Sequence, residues 1–168
     1  ERELGEVYFV WKGREVKVMA EVAEVPPPGV VIVEDRNLGP FAEAVRVGTH
    51  VLAADEPVSS GGTNSGPSPY DYLLAGLGAC TAMTLRMYAR QKNWPLQKVR
   101  VWLKHDKIHA QDCADCETKE GKIDQIDRQI VIEGPLSPEQ RQRLLEIADK
   151  CPVHRTLTSE IKIRTRLG

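Results

Sequence analysis

The sequence predicts an α+β fold. Three observations carry the prediction: about eight short alternating or apolar runs, two strong helical patterns, and an order in which strands and helices come in groups rather than in strict βαβ alternation. At 168 residues the chain suits one domain, large enough to bury a core without disulfide staples.

The elements follow in order. Residues 6–23 hold two β-rich runs around Lys12-Gly13, the pattern of a hairpin. The PPPG segment at 26–29 ends it, because proline cannot feed a sheet ladder. Residues 30–35, VVIVED, form a short strand. FAEAVRVG (41–48) and THVLAADEP (49–57) are two more, with Gly48 at their turn. SSGGTNSGPSP at 59–69 is a turn-rich loop.

That loop feeds a long helix to about residue 92. Ser68 suits the N-cap, Pro69 the first turn and Asp71 the positive end of the dipole. Leu73, Leu77, Cys80, Thr84 and Met87 share a face at helical spacing. Gly76 and Gly78 cost helix propensity, which predicts another backbone packed close by. KVRVWLKHDKIHA (98–110) and IDQIDRQIVIEG (123–134) alternate as strands, joined by the polar DCADCETKEGK. A helix follows at 136–151, with Ser137 as N-cap and Pro138 in its first turn. A short helix fits after Pro152, and IKIRTRL (161–167) reads as a closing strand.

Composition narrows the function classes. The chain is 41% hydrophobic and 28% charged, with a net charge of −1. That balance gives no electrostatic reason for a nucleic-acid or acidic-membrane partner. No apolar run is long enough to span a bilayer. The opening ERELGEVYFVW lacks the basic and apolar regions of a signal peptide, so a cytoplasmic location is expected. There is no GxSxG, P-loop or HExxH motif, and GTNSG is not a dinucleotide fingerprint.

Chemistry centres on four cysteines. Cys80 lies about three turns into its helix, too far from the N-terminus for the dipole to make a thiolate. It reads either as a small core hydrophobe or as a nucleophile activated by a nearby Arg or Lys. Cys151 stands at a helix boundary, in Cys-Pro-Val-His-Arg, and reads either as a thiolate site or as part of a helix end with Arg155 on its carbonyls. The third group is His105, His109, Cys113 and Cys116. Two imidazoles and two thiolates suit tetrahedral zinc, but the spacing is not that of a standard zinc finger. On an extended strand the two histidines stand about 13 Å apart, so one four-ligand site requires a bend. A three-ligand site, an oxidisable CxxC pair and a solvated hairpin tip are the other readings.

Two segments resemble a known family. GGTNSGPSPYDYLLAGLGACTAMTLRMYA looks like the core of the osmotically inducible protein C / organic hydroperoxide resistance (OsmC/Ohr) family, where a Gly- and Pro-containing loop precedes a helix carrying the first cysteine. CPVHRTLTSE looks like its second signature. The element order matches over residues 39–168, leaving 1–38 as an N-terminal extension of a single OsmC-like domain. The resemblance implies antiparallel sheets around a long central helix, in an intertwined homodimer.

It also implies an activity: reduction of small organic hydroperoxides. Cys80 would attack the peroxide and become a sulfenic acid, and Cys151 would condense with it to a disulfide. A dithiol reductant, lipoyl-linked in the family, would restore the thiols, and no cofactor is required. Family peroxidases carry a Glu ten residues before the first Cys, orienting an Arg that activates the thiolate. Here that position is Tyr70, followed by Asp71 as a substitute, and Arg46 is the candidate cation. The DCADCE tip sets the chain in a separate branch. Two alternatives to a peroxidase remain: a redox or metal-binding protein using His105, His109, Cys113 and Cys116, and a binder of another small ligand in which Cys80 is inert.

Overall fold

A computed structural model describes the backbone at 4–11 and 14–21 and the full residues at 25–114 and 116–168. The chain divides into two compact units, Glu1–Ser68 and Pro69–Gly168. The fold is α+β, as the grouping of elements predicts.

In the first unit, β1 (Leu4–Trp11) pairs antiparallel with β2 (Arg14–Glu21). The expected turn at Lys12-Gly13 lies outside the described residues. β3 (Val31–Asp35), β4 (Glu43–Val47) and β5 (His50–Ala54) form an antiparallel sheet in that order. Gly48 adopts φ 55° between β4 and β5, a left-handed conformation that suits a residue without Cβ.

The loop after β5 is built on a carboxylate. Asp55 is buried and accepts hydrogen bonds from the backbone N–H groups of Glu56, Thr63 and Ser65 and from the hydroxyls of Thr63 and Ser65. The Thr63 hydroxyl, followed by the other donors, holds this carboxyl well below the usual carboxylate range. The glycines of the loop permit the wrap. A Cβ on Gly62 would collide with the Glu56 carbonyl, and one on Gly66 would stand 2.5 Å from the Ala53 carbonyl oxygen.

In the second unit, α1 (Pro69–Gln91) packs on a hairpin of β6 (Lys98–His109) and β7 (Lys122–Glu133), and on α2 (Pro138–Ala148) and α3 (Pro152–Leu157). The end of α1 is a Schellman motif. Asn93 takes φ 54°, its N–H donates to the Arg90 carbonyl, and the Trp94 N–H donates to the Ala89 carbonyl at 2.8 Å. Trp94 then folds back edge-on to Tyr88, with ring centroids 5.5 Å apart. Ser137 caps α2 in a reciprocal capping box with Gln140. Leu85, Ala89, Leu136, Leu144, Ile147 and Ala148 form the core, flanked by Val99, Ile130 and Ile132. Leu85 and Leu144 are fully buried, and each such side chain contributes about 1.5–3 kcal/mol.

Three expectations change here. The buried spine of α1 is Leu77, Thr81, Leu85 and Ala89, not the stripe through Leu73 and Met87. Leu73 and Met87 face outward, as does Met83, because the hairpin and α2 cover the other side of the helix. Gly78 does meet a close neighbour, but it is a side chain: an added Cβ would lie 2.8 Å from Leu103 Cδ1, whereas Gly76 faces open space. The third concerns residues 160–168, which form no strand. Their alternation is real, yet no strand of the described chain pairs with them, and Ile163 and Leu167 are exposed.

Candidate functional site

Residues 71 positions apart in sequence meet where α1 faces α3. Cys80 is half-buried on α1, and Cys151 is the N-cap of α3, with no exposed surface in the single chain. Both remain free thiols, and their side chains interact directly. Pro152 at the first position of α3 turns the chain so that the following N–H groups address the two sulfurs. The His154 N–H donates to Cys151 Sγ at 3.5 Å.

The two thiols are electrostatically unequal. Burial pushes the Cys80 thiol up, the Cys151 sulfur adds to that, and the Val153 N–H and Thr84 oppose it. For Cys151, burial also works against the thiolate. The His154 N–H, the Cys80 thiol, Thr81 and the Val153 N–H outweigh it, so its pKa falls below the ordinary thiol value. The pair can therefore hold one proton between two sulfurs, with Cys80 as donor and Cys151 as acceptor.

Behind Thr81 stands a residue that sequence reasoning missed. Arg128 on β7 donates to Thr81 Oγ1 at 3.1 Å, to the Ala148 carbonyl at 3.3 Å and to Asp149 at 2.6 Å. Thr81 also donates to the Leu77 carbonyl at 2.8 Å. With Arg128 on its oxygen, the hydroxyl has one proton to give, to Leu77 or to a Cys151 thiolate. The signal was present in the strand: Arg128 interrupts an inward row of Ile126, Ile130 and Ile132, and a cation in such a row requires partners.

Other expected site residues lie elsewhere. Asp71 is in the first turn of α1 and lines an open groove with Leu74, Gly78, Val101 and Leu103. Nine residues separate it from Cys80, about 13 Å along the axis and half a turn round it, so the structure does not bring these two together. Tyr70 stacks on His105, with centroids 4.3 Å apart and planes 13° from parallel. His105 Nε2 also meets Asp124 at 2.8 Å. The His105 partner pulls the Asp124 carboxyl below its ordinary pKa, with Lys107 adding to the effect. Arg46 belongs to the first unit, where its Nε donates to Glu34 at 2.7 Å.

The proposed zinc ligands are not assembled. Cys113 and Cys116 form a disulfide with Cα atoms 5.5 Å apart, so neither sulfur is a thiolate. His105 is engaged with Tyr70 and Asp124, and His109 is exposed. Among the described residues, no three His, Cys, Asp or Glu side chains converge as a metal site.

A loop-fed central helix carrying one cysteine, with a second at a Cys-Pro helix start, defines a class of thiol proteins. A family model described as OsmC-like protein matches residues 62–166, and the chain belongs to that family. No curated protein matches it. Among solved structures, the chain resembles an organic hydroperoxide resistance protein OsmC from Legionella pneumophila, described as a predicted redox protein. The two are 19% identical, with a TM-score of 0.56 over 77% of this chain and 89% of that one. It also resembles the organic hydroperoxide resistance protein OhrB of Bacillus subtilis, at 19% identity and TM-score 0.53 over 77% and 90% of the two chains. An OsmC-like protein from Mycoplasma pneumoniae gives 18% identity and TM-score 0.53 over 76% and 84%. At these identities the likeness shows the fold alone.

Proposed function

We propose that this protein is a thiol peroxidase that reduces organic hydroperoxides through Cys80 and Cys151. The direct interaction of the two free thiols carries the proposal. The Cys80 thiol gives up its proton, which passes to the departing alkoxide, and its sulfur attacks the distal peroxide oxygen. The O–O bond breaks, the alcohol leaves with a proton, and Cys80 becomes a sulfenic acid. The Cys151 sulfur then attacks the Cys80 sulfur, and the hydroxyl leaves as water. Two thiols and one hydroperoxide give one disulfide, one alcohol and one water. A dithiol of the lipoyl type, in a reducing compartment such as the cytoplasm, returns the pair to thiols.

Burial raises the Cys80 pKa, so the attacking thiolate needs a cation. By the resemblance the expected cation is Arg46, which pairs with Glu34 within the first unit. The protein is further proposed to act as a homodimer. Leu73, Met83 and Met87 form an exposed apolar face beside Cys80, and Ile161, Ile163 and Leu167 lie exposed at the chain end. A second copy covering them would shield a greasy peroxide from water.

The test is turnover of cumene hydroperoxide with dihydrolipoamide as reductant. Wild-type protein is expected to turn over, Cys80→Ser to be inactive, and Cys151→Ser to consume one equivalent and stop. Equal residual turnover in both variants would refute the assigned roles.

A further inference from the structure

The Cys113–Cys116 disulfide takes no part in that cycle, and its setting is not that of a staple. Below it the β6–β7 ladder is already closed at His109 and Lys122. The buried Ala110 then fixes the base of the tip: its N–H donates to the Gly121 carbonyl at 2.9 Å, and its carbonyl accepts from the Cys113 N–H at 3.3 Å. A bond closing so short a loop removes little entropy from the unfolded chain, and here the loop ends are already held. Both cysteines are only half-buried, and Gln111, Asp112, Ala114, Glu117 and Thr118 around them are exposed. The bond is therefore reachable, and the backbone hydrogen bonds at the base of the tip do not run through it.

We propose that Cys113 and Cys116 form a second, reversible two-electron redox site that exchanges with a small dithiol. An external thiolate attacks one sulfur of the Cys113–Cys116 bond and forms a mixed disulfide. Its second thiol then displaces the protein sulfur. The dithiol leaves as a disulfide, and the protein gains two electrons and two protons as two thiols. An oxidised disulfide partner reverses the step. The charge of the tip selects the partner. Among the described residues of the tip, Asp112, Glu117 and Glu120 stand exposed against Lys119. These carboxylates repel an anionic thiol such as glutathione and tolerate an uncharged or cationic dithiol.

The site is tested apart from the peroxidase reading in full-length Cys80→Ser/Cys151→Ser protein, where only this pair can react. The probe is a mixture of dihydrolipoamide and lipoamide at neutral pH without denaturant. Free thiols are alkylated and mapped by mass spectrometry, and circular dichroism follows the fold. The reduced fraction is expected to rise from about a tenth to about nine-tenths over a roughly 100-fold change in the ratio, as a two-electron exchange requires. It should fall again when lipoamide is returned, with an unchanged spectrum. Reduction by glutathione at matched thiol concentration should be at least several-fold slower. A bond that opens only in denaturant, or whose opening unfolds the protein, would make it a staple and overturn the proposal. Equal rates with glutathione would overturn the charge selection.

Discussion

Cys80 and Cys151 are neighbours in space with opposite electrostatics, and the difference comes from what surrounds each sulfur. Cys80 sits among helix side chains, while Cys151 starts a helix and meets backbone N–H groups and the Thr81 hydroxyl. Thr81→Val keeps the shape and removes that hydroxyl. In a Cys80→Ser background, the pH midpoint for alkylation of Cys151 is expected to move upward. The sign follows from the depressed pKa: donors to the thiolate extend its population to lower pH, and losing one retracts it. Arg128 would also lose an acceptor, so stability should fall by about 1 kcal/mol, measured by urea denaturation. An unchanged midpoint would remove Thr81 from the site. Cys80 makes the complementary case. Thr84→Val is expected to raise its alkylation midpoint in a Cys151→Ser background, because the Thr84 hydroxyl lowers the Cys80 pKa. Both cysteines were legible in the sequence as motif positions. Arg128 was not, because a motif reading follows loops and helices and passes over a cation within a strand.

The loop after β5 shows how one carboxylate can organise an element. Asp55 gathers three backbone N–H groups and two hydroxyls from the loop. Because its folded pKa is depressed, its contribution is present above the ordinary carboxylate value of 3.8 and is lost as pH falls through the folded value below it. The loop is therefore expected to persist through mild acid and open only in strong acid. Hydrogen exchange at the Thr63 and Ser65 amides reads this directly, and Asp55→Asn should expose both amides at neutral pH. Protection that survives Asp55→Asn would show that the glycine turns alone hold the loop. The sequence showed a turn-rich stretch but not its organiser, since an aspartate after a strand looks like any surface residue. Helix ends were easier to read, because Ser137-Pro138 follows local hydrogen-bond chemistry. The face of α1 was harder. Leu73, Cys80 and Met87 do share a side, yet which side is buried depends on where the hairpin and α2 pack.

At the scale of the whole molecule, α1 has two apolar sides, and the second unit covers one of them. Leu77, Leu85 and Ala89 face the core, while Leu73, Met83 and Met87 face out. Sedimentation at micromolar concentration is expected to give a dimer mass, and Met83→Glu/Met87→Glu to shift it toward the monomer. A wild-type monomer would contradict the proposed assembly. The missing eighth strand belongs to this scale too. The alternation of IKIRTRL is a local pattern, whereas a strand needs a partner, and period two cannot say whether one exists. The fold class was legible because it depends on the order of elements alone. The central claim is that Cys80 and Cys151 act as one redox pair, and its most direct test is disulfide mapping by mass spectrometry after one equivalent of cumene hydroperoxide. Loss of two thiols with a new Cys80–Cys151 linkage, beside an unchanged Cys113–Cys116 bond, is the predicted result. Two intact thiols at Cys80 and Cys151 after that treatment would contradict it.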